Sequence, residues 1–321
     1  MLWDMVIVAV GLGVLVLAGD ALVRGAVNLS LRLGVPAAVV GLTIVAFGTS
    51  APELLVSVRA VLADVPALAL GNVVGSNTAN ILLVLGVPAL IAAVPVVRAE
   101  VGQDYAVMLA ASVGFVAMAW LGPIGWPQAL VLLGALVLVL GNAVRRALSG
   151  RAATRAAAAG ALEGADPGMG WGRIGLWTGL GLVGLPVGAG LLVDGSVGLA
   201  RGLGVSEALI GLTLVAVGTS LPELATTVMA ALRREAGVAM GNVLGSNLFN
   251  LLGIIGVAGL VGTIPVDGAM LTRDLWVMLG ASALLGVFVV AGRPVGRAWG
   301  LGFLAIYAAY VAVLAMEVGA T

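Results

Sequence analysis

Apolar runs long enough to cross a bilayer recur along almost the whole chain, and this feature limits the possible folds more than any other. A helix needs about 20 residues to span a hydrocarbon core of about 30 Å. Hydrophobic residues make up 61% of the sequence and charged residues only 9%, whereas soluble proteins have about 25% charged residues. The sequence therefore predicts an all-α polytopic membrane protein without a sizeable soluble domain.

Windows bounded by glycine, proline or charge divide the chain into ten predicted transmembrane helices. Their spans are 4–33, 37–62, 66–92, 102–121, 126–146, 173–203, 207–232, 236–262, 270–291 and 296–317. A mobile linker rich in Ala and Gly is predicted at 147–172, between a first half, 1–146, and a second half, 173–321. Because the N-terminus carries Asp4 and no basic segment, it fits a secretory signal peptide poorly and is predicted as the first helix.

The two halves repeat one sequence pattern. Placing 22–86 on 192–256 aligns "GLTIVAFGTSAPELL" with "GLTLVAVGTSLPELA" and "GNVVGSNTANILLVLG" with "GNVLGSNLFNLLGIIG". The two segments match at 33 of 65 positions without a gap, including Thr, Pro, Glu, Ser and Asn. The chain is therefore a duplication. With five spans in each half, the second half enters the membrane the opposite way up, as in the inverted repeats of many secondary transporters.

The arginines predict how the chain lies in the membrane. If both termini are extracytoplasmic, only Arg59, Arg201 and Arg273 fall in outer loops. The inner loops then contain eleven arginines: Arg32, Arg98, Arg145, Arg146, Arg151, Arg155, Arg173, Arg233, Arg234, Arg293 and Arg297. This distribution is a clear positive-inside bias.

Composition excludes several kinds of chemistry. The chain has no Cys and no His, which removes disulfides, thiolate chemistry, the usual zinc sites and imidazole proton relays. Fifteen Arg balance fifteen Asp plus Glu, and no basic stripe of the kind that binds nucleic acid is present. Only oxygen ligands are left for a metal ion.

A carboxylate lies within an apolar span at the same place in each half. Glu53 and Glu223 each follow Gly-Thr-Ser-x-Pro, and a charge at the centre of a membrane helix costs about 2.5 kcal/mol or more. Pro52 and Pro222 have no N–H, so the helix is expected to open before each of them. One such proline kink is common in membrane proteins, but two copies with a carboxylate in the same register favour a functional site at the midplane.

The second motif places a serine and an asparagine four residues apart on one helix face. The pairs are Ser76 with Asn80 and Ser246 with Asn250. The glycines around them also form small-residue faces that allow close helix packing, and both interpretations are compatible. Four further asparagines are expected to hydrogen-bond unwound backbone rather than to bind an ion: Asn72, Asn77, Asn242 and Asn247.

Both motifs together supply two carboxylates with hydroxyl, amide and carbonyl oxygens. These are hard ligands of the kind that Ca²⁺ takes in a flexible shell of six to eight, whereas Mg²⁺ requires a tighter octahedron. Two glutamates neutralise one divalent cation, and the same oxygens are suited to Na⁺ when no divalent ion is bound.

The other ionisable residues are interpreted as structural. Asp20 and Arg24 are placed to pair within the first helix, and Asp194, which aligns with Arg24, is interpreted as a local feature. Carboxylates at predicted helix ends are expected to be solvated or capping groups: Asp64, Glu100, Asp104, Glu207, Asp267 and Asp274.

The duplicated "GTSAPE" and "GTSLPE", with "GNVVGSNTAN" and "GNVLGSNLFN", resemble the paired alpha-repeats of the sodium/calcium exchanger family, prokaryotic type, within the cation/calcium antiporter superfamily. The resemblance covers essentially the whole chain. It implies a secondary active antiporter of the prokaryotic plasma membrane, not an enzyme and without a cofactor, in which Na⁺ entry drives Ca²⁺ export by alternating access. A monomer would suffice, and the first and sixth helices would slide across a core formed by the others.

By motif position, the resemblance implies that Glu53 and Glu223 bind Ca²⁺ and share Na⁺ sites. The implied neighbouring ligands are the side chains or backbone of Thr49, Ser50, Thr219 and Ser220, the side chains of Ser76, Ser246, Asn80 and Asn250, and the carbonyls of Ala46 and Ala216. Some relatives have Asp at one position of the central Asn pair. Both are Asn here, which argues against K⁺ co-transport and against proton coupling.

Two other functions stay open at this point. An H⁺/Ca²⁺ exchanger, or one for another divalent cation, would use the same oxygens, although the absence of His argues against it. A passive cation channel belongs to another class, and strict dependence of the flux on a counter-ion would exclude it.

Overall fold

The computed structural model describes residues 1–149, 166, 168–203 and 216–320, and their regular structure is helical. Only two isolated backbone pairings interrupt this pattern among them. The helices are α1 (Leu2–Leu33), α2 (Ala37–Thr49), α3 (Ala51–Leu62), α4 (Pro66–Ile91), α5 (Arg98–Trp120), α6 (Trp126–Ser149), α7 (Trp171–Gly202), α8 (Leu221–Leu232), α9 (Ala236–Val261), α10 (Met270–Ala291) and α11 (Arg297–Ala320), with a short turn at Ala216–Gly218.

The expected all-α polytopic membrane protein is confirmed. Eight of the described helices are long and apolar enough to cross a membrane, and the bent pair α2 and α3 makes a ninth span. The predicted span 207–232 begins among residues that lie outside the described part, and α8 is its described end. Nine of the ten predicted spans therefore match a described helix or helix pair, and the count of ten stays a prediction.

Two boundaries differ from the prediction. The predicted helix 66–92 is interrupted by a turn at residues 83–85, because Pro88 has no N–H and its ring clashes with the carbonyl four residues earlier. The helix predicted to end at residue 146 continues to Ser149. Most of the predicted linker lies outside the described residues, but its end is held in place, since the Asp166 N–H donates to Asn28 Oδ1 at 2.8 Å.

Helices α4 and α9 form the centre of the molecule. They are the most enclosed of the spans, with α5 and α10 beside them and α6 and α11 at the periphery. Gly237 and Gly241 bring α9 against α2 so closely that an added Cβ at Gly241 would lie 2.9 Å from Leu42 N. The expected small-residue packing face is thus confirmed in the second half. In the first half, the equivalent glycine face belongs to α4. Most of the segment that would pack against it, the second-half equivalent of α2, lies outside the described residues.

The two longest helices, α1 and α7, pack along each other in antiparallel directions. Gly25 of α1 lies against Thr178 near the start of α7, whereas Gly195 near the end of α7 lies against Val8. The same order continues in between, with Gly181 opposite Leu22 and Gly188 opposite Leu15. Small residues allow this approach of two backbones, which is a main source of helix association in lipid.

Two loop pairings connect the halves at corresponding positions. Val94 exchanges backbone hydrogen bonds with Val295 at 3.0 and 2.9 Å, and Ile124 exchanges them with Ile264 at 2.9 Å each. Val94 and Ile264 occupy equivalent positions when the second half is aligned with the first as in the sequence repeat. Each half therefore contributes an equivalent loop residue to a pairing with the other half.

The contact between α1 and α7 predicts that Gly181→Ala destabilises the fold. An added Cβ would lie 2.7 Å from Leu22 Cα and 2.8 Å from Leu22 N, and because backbone must move, we expect a loss of about 1 to 3 kcal/mol. The control is Gly175→Ala in the same helix, where no described atom lies within 4 Å of the added Cβ. Thermal unfolding in detergent should show a lower Tm for Gly181→Ala only, and equal Tm values would contradict the described contact.

Candidate functional site

The expected break before each proline is present. Helix α2 ends at Thr49, α3 begins at Ala51, and the two are bent by 44°. Ser50 lies between them with φ −83° and ψ 5°, and Ser220 before α8 has nearly the same values, −86° and 3°. Pro52 and Pro222 are then the second residues of new helices, where the missing N–H is tolerated.

Glu53 and Glu223 lie in the first turns of α3 and α8, and each is only 1% exposed. A helix N-terminus favours a negative charge, but no basic side chain pairs with either carboxylate among the described residues. Both oxygens of Glu53 and Oε2 of Glu223 are buried, and none of the three has a hydrogen-bond partner among the described residues. The two carboxylates lie close enough to repel each other. Such groups are costly to bury, so the arrangement favours a cation.

Hydroxyl groups of the first break reach into the second half. Ser50 Oγ donates to Glu223 Oε1 at 3.0 Å, and Thr49 Oγ1 donates to Asn242 Oδ1 at 3.2 Å. Thr49 Oγ1 is also 3.5 Å from Ser246 Oγ. The sequence-predicted residues Thr49, Ser50, Glu223 and Ser246 are therefore brought together, although they come from opposite halves of the chain.

One asparagine in each half supports the backbone of the glutamate turn. Asn72 Nδ2 donates to the Glu53 carbonyl at 3.3 Å and to Ser57 Oγ at 3.0 Å. At the equivalent positions of the second half, Asn242 Nδ2 donates to the Glu223 carbonyl at 3.4 Å and to Thr227 Oγ1 at 3.1 Å. The expectation that Asn72 and Asn242 bond backbone is confirmed.

A second group of asparagines lies where α4 meets α9. Asn77 Nδ2 donates to the Asn247 carbonyl at 3.2 Å, and Asn80 Nδ2 donates to Asn247 Oδ1 at 3.1 Å. The expectation of a backbone bond is thus confirmed for Asn77 but wrong for Asn247, whose Nδ2 lies 3.5 Å from Met108 Sδ. Asn80 Oδ1 and both polar atoms of Asn250 are buried and have no hydrogen-bond partner in the described part of the chain. These oxygens are free to accept a bond or to bind a cation.

The remaining predicted site residues differ in their burial and in their hydrogen-bond partners. Ser76 is buried in α4, which packs against the turn Ala216–Gly218. Ser220 Oγ is buried, and no described residue gives it a hydrogen bond. Thr219 is half-buried at the wall of a cavity. Only the backbone of Ala216 is described. The Ala46 carbonyl accepts hydrogen bonds from the Ser50 N–H at 3.0 Å and from Thr49 Oγ1 at 3.3 Å.

The charge of this group of residues is small. Within the part of the chain that the structure describes, no cluster of three or more acidic residues forms, so two carboxylates are accompanied by neutral oxygens. Two negative charges match one divalent cation or two monovalent cations, and hard oxygen ligands favour Ca²⁺, Mg²⁺ or an alkali ion over a transition metal.

Sequence reasoning missed Ser57 and Thr227, which accept from Asn72 and Asn242. A hydroxyl at the same place in both halves was the available signal. The expectation of a solvated or capping role was right for Asp267, whose Oδ1 accepts from the Met270 N–H at 2.7 Å.

The same expectation was wrong for Asp104 and Asp274, which are 5% and 8% exposed. Asp104 Oδ1 accepts from Arg146 at 2.5 Å, and Asp274 Oδ1 accepts from the Tyr310 hydroxyl at 3.0 Å. Each carboxylate is reached by a long side chain from another helix, α6 for Asp104 and α11 for Asp274. The expected pairing of Asp20 with Arg24 is confirmed at 2.9 Å.

Comparison with known proteins finds a matching family model and similar full-length chains. A family model described as "Sodium/calcium exchanger protein" matches residues 3–144 and 174–316. The chain is 32% identical to the sodium/calcium exchanger MaX1 of Methanosarcina acetivorans over 97% of this chain and 98% of that protein. It is 33% identical to the inner membrane protein YrbG of Escherichia coli over 92% of this chain and 91% of that protein.

A solved structure has the same architecture. The sodium-calcium exchanger NCX_Mj, soaked with zero Na⁺ and Ca²⁺, superimposes with a TM-score of 0.83 at 31% identity. The match covers 97% of this chain and 98% of that one.

The paired asparagine bonds predict matched losses of stability. Asn72→Leu and Asn242→Leu keep the approximate volume but leave a buried glutamate carbonyl and a hydroxyl without their donor, so each should lower the free energy of unfolding by about 1 to 3 kcal/mol. Asn142→Leu, near the exposed end of α6, should change it by less than about 0.5 kcal/mol. Unfolding in detergent checks this, and an Asn142 effect as large as the other two would contradict the assignment.

Proposed function

The chain belongs to the sodium/calcium exchanger family, and on that premise we propose that it is an antiporter that exchanges Na⁺ for Ca²⁺ across a membrane by alternating access. Membership supports exchange of Ca²⁺ for another cation and a transporter rather than an enzyme. The observation that carries the proposal is a pair of buried carboxylates, Glu53 and Glu223, without a basic partner among the described residues.

The proposed ion site combines both halves of the chain. Glu53 and Glu223 neutralise one Ca²⁺, and the same carboxylates hold Na⁺ when Ca²⁺ has left. The neutral ligands come from the side chains or backbone of Thr49, Thr219, Ser50, Ser220, Ser76, Ser246, Asn80 and Asn250, with the carbonyls of Ala46 and Ala216. Support comes from the bond between Ser50 and Glu223. It also comes from buried oxygens that have no hydrogen-bond partner among residues 1–149, 166, 168–203 and 216–320, namely those of Glu53, Ser220, Asn80 and Asn250.

Charge explains why the site would exchange ions rather than leak them. With one Ca²⁺ bound, the two carboxylates and the cation sum to zero, and the site can pass through a low-dielectric barrier. Emptied, it retains unmatched negative charge, which is costly inside a membrane protein. The change of access therefore requires a bound ion, and Na⁺ and Ca²⁺ must compete for the same carboxylates.

The architecture proposed for this function has ten transmembrane helices in two inverted five-helix halves. The halves are residues 1–146 and 173–321, joined by a short cytoplasmic linker at 147–172, and the broken helices meet at the midplane. The antiparallel packing of α1 and α7 supports inversion, as do the equivalent loop pairings of Val94 with Val295 and Ile124 with Ile264. The two long helices would slide across the remaining core.

The proposed location is a prokaryotic plasma membrane, with several passes and both termini extracytoplasmic. Arginine placement supports this, because eleven of the fifteen arginines fall in inner loops and three in outer loops under that orientation. Because one chain supplies both carboxylates, a monomer is sufficient for transport, and no resident cofactor is needed. The transported ions and the lipid bilayer are the partners.

Exchange of three Na⁺ for one Ca²⁺, which the family resemblance implies, would carry one net charge. Each net charge is worth about 2.3 kcal/mol per 100 mV of membrane potential. Ca²⁺ uptake by Na⁺-loaded proteoliposomes should therefore respond to an imposed potential, whereas an electroneutral ratio would give uptake independent of voltage.

The first test removes one charge at a time from the site. Glu53→Gln or Glu223→Gln leaves a bound Ca²⁺ with an unmatched charge, which costs at least about 2.5 kcal/mol. Uptake of ⁴⁵Ca²⁺ driven by an outward Na⁺ gradient should therefore fall about 70-fold or more. Glu100→Gln removes the same charge from an exposed helix end and should transport normally. Normal uptake in either site variant would contradict the proposed site.

The same vesicles distinguish the coupling ion. Uptake that follows a pH gradient with Na⁺ absent would favour H⁺/Ca²⁺ exchange, and flux without any counter-ion would indicate a channel.

Independence from K⁺ is a separate expectation. Asn80 and Asn250 add no third negative charge to the site, so K⁺ has no carboxylate of its own to bind. Na⁺-driven Ca²⁺ uptake should be equal with K⁺ or choline as the other external cation at the same membrane potential. Uptake that requires K⁺ would contradict the proposed charge balance.

A further inference from the structure

A cavity lies between α7 and α3. It has a volume of about 440 Å³. Its lining includes Pro52 of α3, Pro186 and Asp194 of α7, and Thr219 before α8. Thr219 is a proposed ligand of the ion site, and Pro52 directly precedes Glu53. The cavity therefore reaches the site from the α7 side.

The corresponding contact in the other half is closed. When the halves are aligned as in the sequence repeat, α7 and α3 correspond to α1 and α8. Helix α1 packs directly against α8, since an added Cβ at Gly19 would lie 3.1 Å from the Ala225 carbonyl oxygen. Asp20 also accepts a bond from Arg233 Nε at 2.6 Å. The same pair of elements is thus separated by a cavity on one side and joined by packing and an ion pair on the other.

Asp194 is the acidic side chain of this cavity wall. Its side chain is exposed, and among the described residues it has neither an ion pair nor a hydrogen bond. The residue at the equivalent position of α1 is Arg24, which pairs with Asp20 at 2.9 Å. The repeat therefore differs in charge at this position, with an unpaired negative charge on the open side and a paired positive charge on the closed side.

A negative charge between apolar walls acts over the full width of such a cavity. Apolar walls concentrate the field of a charge within a cleft and raise the local concentration of counter-ions. A hydrated cation in the cavity would be close to Asp194 and Thr219, which both line it, whereas the carboxylates of Glu53 and Glu223 are buried. Because Asp194 is exposed, it can attract a cation that keeps its water, whereas the buried oxygens are suited to a cation that has lost it.

We propose that Asp194 recruits hydrated cations, Ca²⁺ and Na⁺, into the cavity that leads to the ion site, and that it acts as a positioning residue rather than as a ligand of the occluded ion. This inference rests on the proposed function and extends it to the entry route. It also predicts that recruitment acts from one membrane face only, because the equivalent position of α1 is the basic residue Arg24, which pairs with Asp20.

The test measures initial rates of ⁴⁵Ca²⁺ uptake against external Ca²⁺ in right-side-out and inverted vesicles loaded with Na⁺. At low ionic strength, Asp194→Asn should raise the KM for Ca²⁺ about threefold to tenfold from one face, with kcat unchanged. Choline chloride at about 0.3 M should remove most of the difference, because it screens an exposed charge. Asp194→Glu keeps the negative charge and should therefore have the wild-type KM. Asp64→Asn, the same change at an exposed loop carboxylate outside the cavity, should have no effect.

Each other result has a distinct meaning. An active wild type with an unchanged KM in Asp194→Asn would overturn the role of Asp194 and leave the proposed function intact. A loss of kcat from both faces at every salt concentration would also overturn it, since that pattern indicates a ligand or a structural group. A wild type without Na⁺-driven uptake would contradict the proposed function, and with it the inference drawn here.

Discussion

Two buried glutamate carboxylates are the constraint on which the rest of the described structure depends. Glu53 and Glu223 are each 1% exposed. Within the part of the chain that the structure describes, neither has a basic partner, and three of their four oxygens have no hydrogen-bond partner. Isolated charges of this kind are costly inside a protein, so the surrounding fold has to supply the energy that holds them there. A cation that binds both carboxylates removes that cost. The charge of the site therefore supports the proposed function independently of the geometry of the other ligands.

The fold stabilises the two carboxylates with the same local structure in each half. A proline ends one helix and allows another to begin, so that each glutamate lies in a first turn, where the helix dipole favours its charge. One asparagine in each half then holds the glutamate carbonyl and a hydroxyl one turn later. Glycine faces between α2 and α9 bring the two turns together, and the glycine contacts of α1 with α7 join the halves at the periphery.

Sequence patterns predicted the features that depend on local chemistry and on duplication. The spans, the breaks at Ser50 and Ser220, the buried glutamates and the backbone role of Asn72 and Asn242 all follow from residues within a few turns of one another or from their copy in the other half. Burial of Asp104 could not be predicted, because its partner Arg146 lies 42 residues away on another helix. The sequence also did not predict that a cavity lies between α7 and α3 whereas α1 packs directly against α8, because nearly the same motifs occur in both halves.

The central claim is that a single pair of carboxylates serves Ca²⁺ and Na⁺ in turn. Equilibrium dialysis of the purified protein with ⁴⁵Ca²⁺, at increasing Na⁺ and constant ionic strength, tests it most directly. The account predicts one Ca²⁺ per chain, displaced completely by Na⁺ and not by choline. Ca²⁺ that stays bound at saturating Na⁺, or a second tightly bound Ca²⁺ per chain, would contradict it.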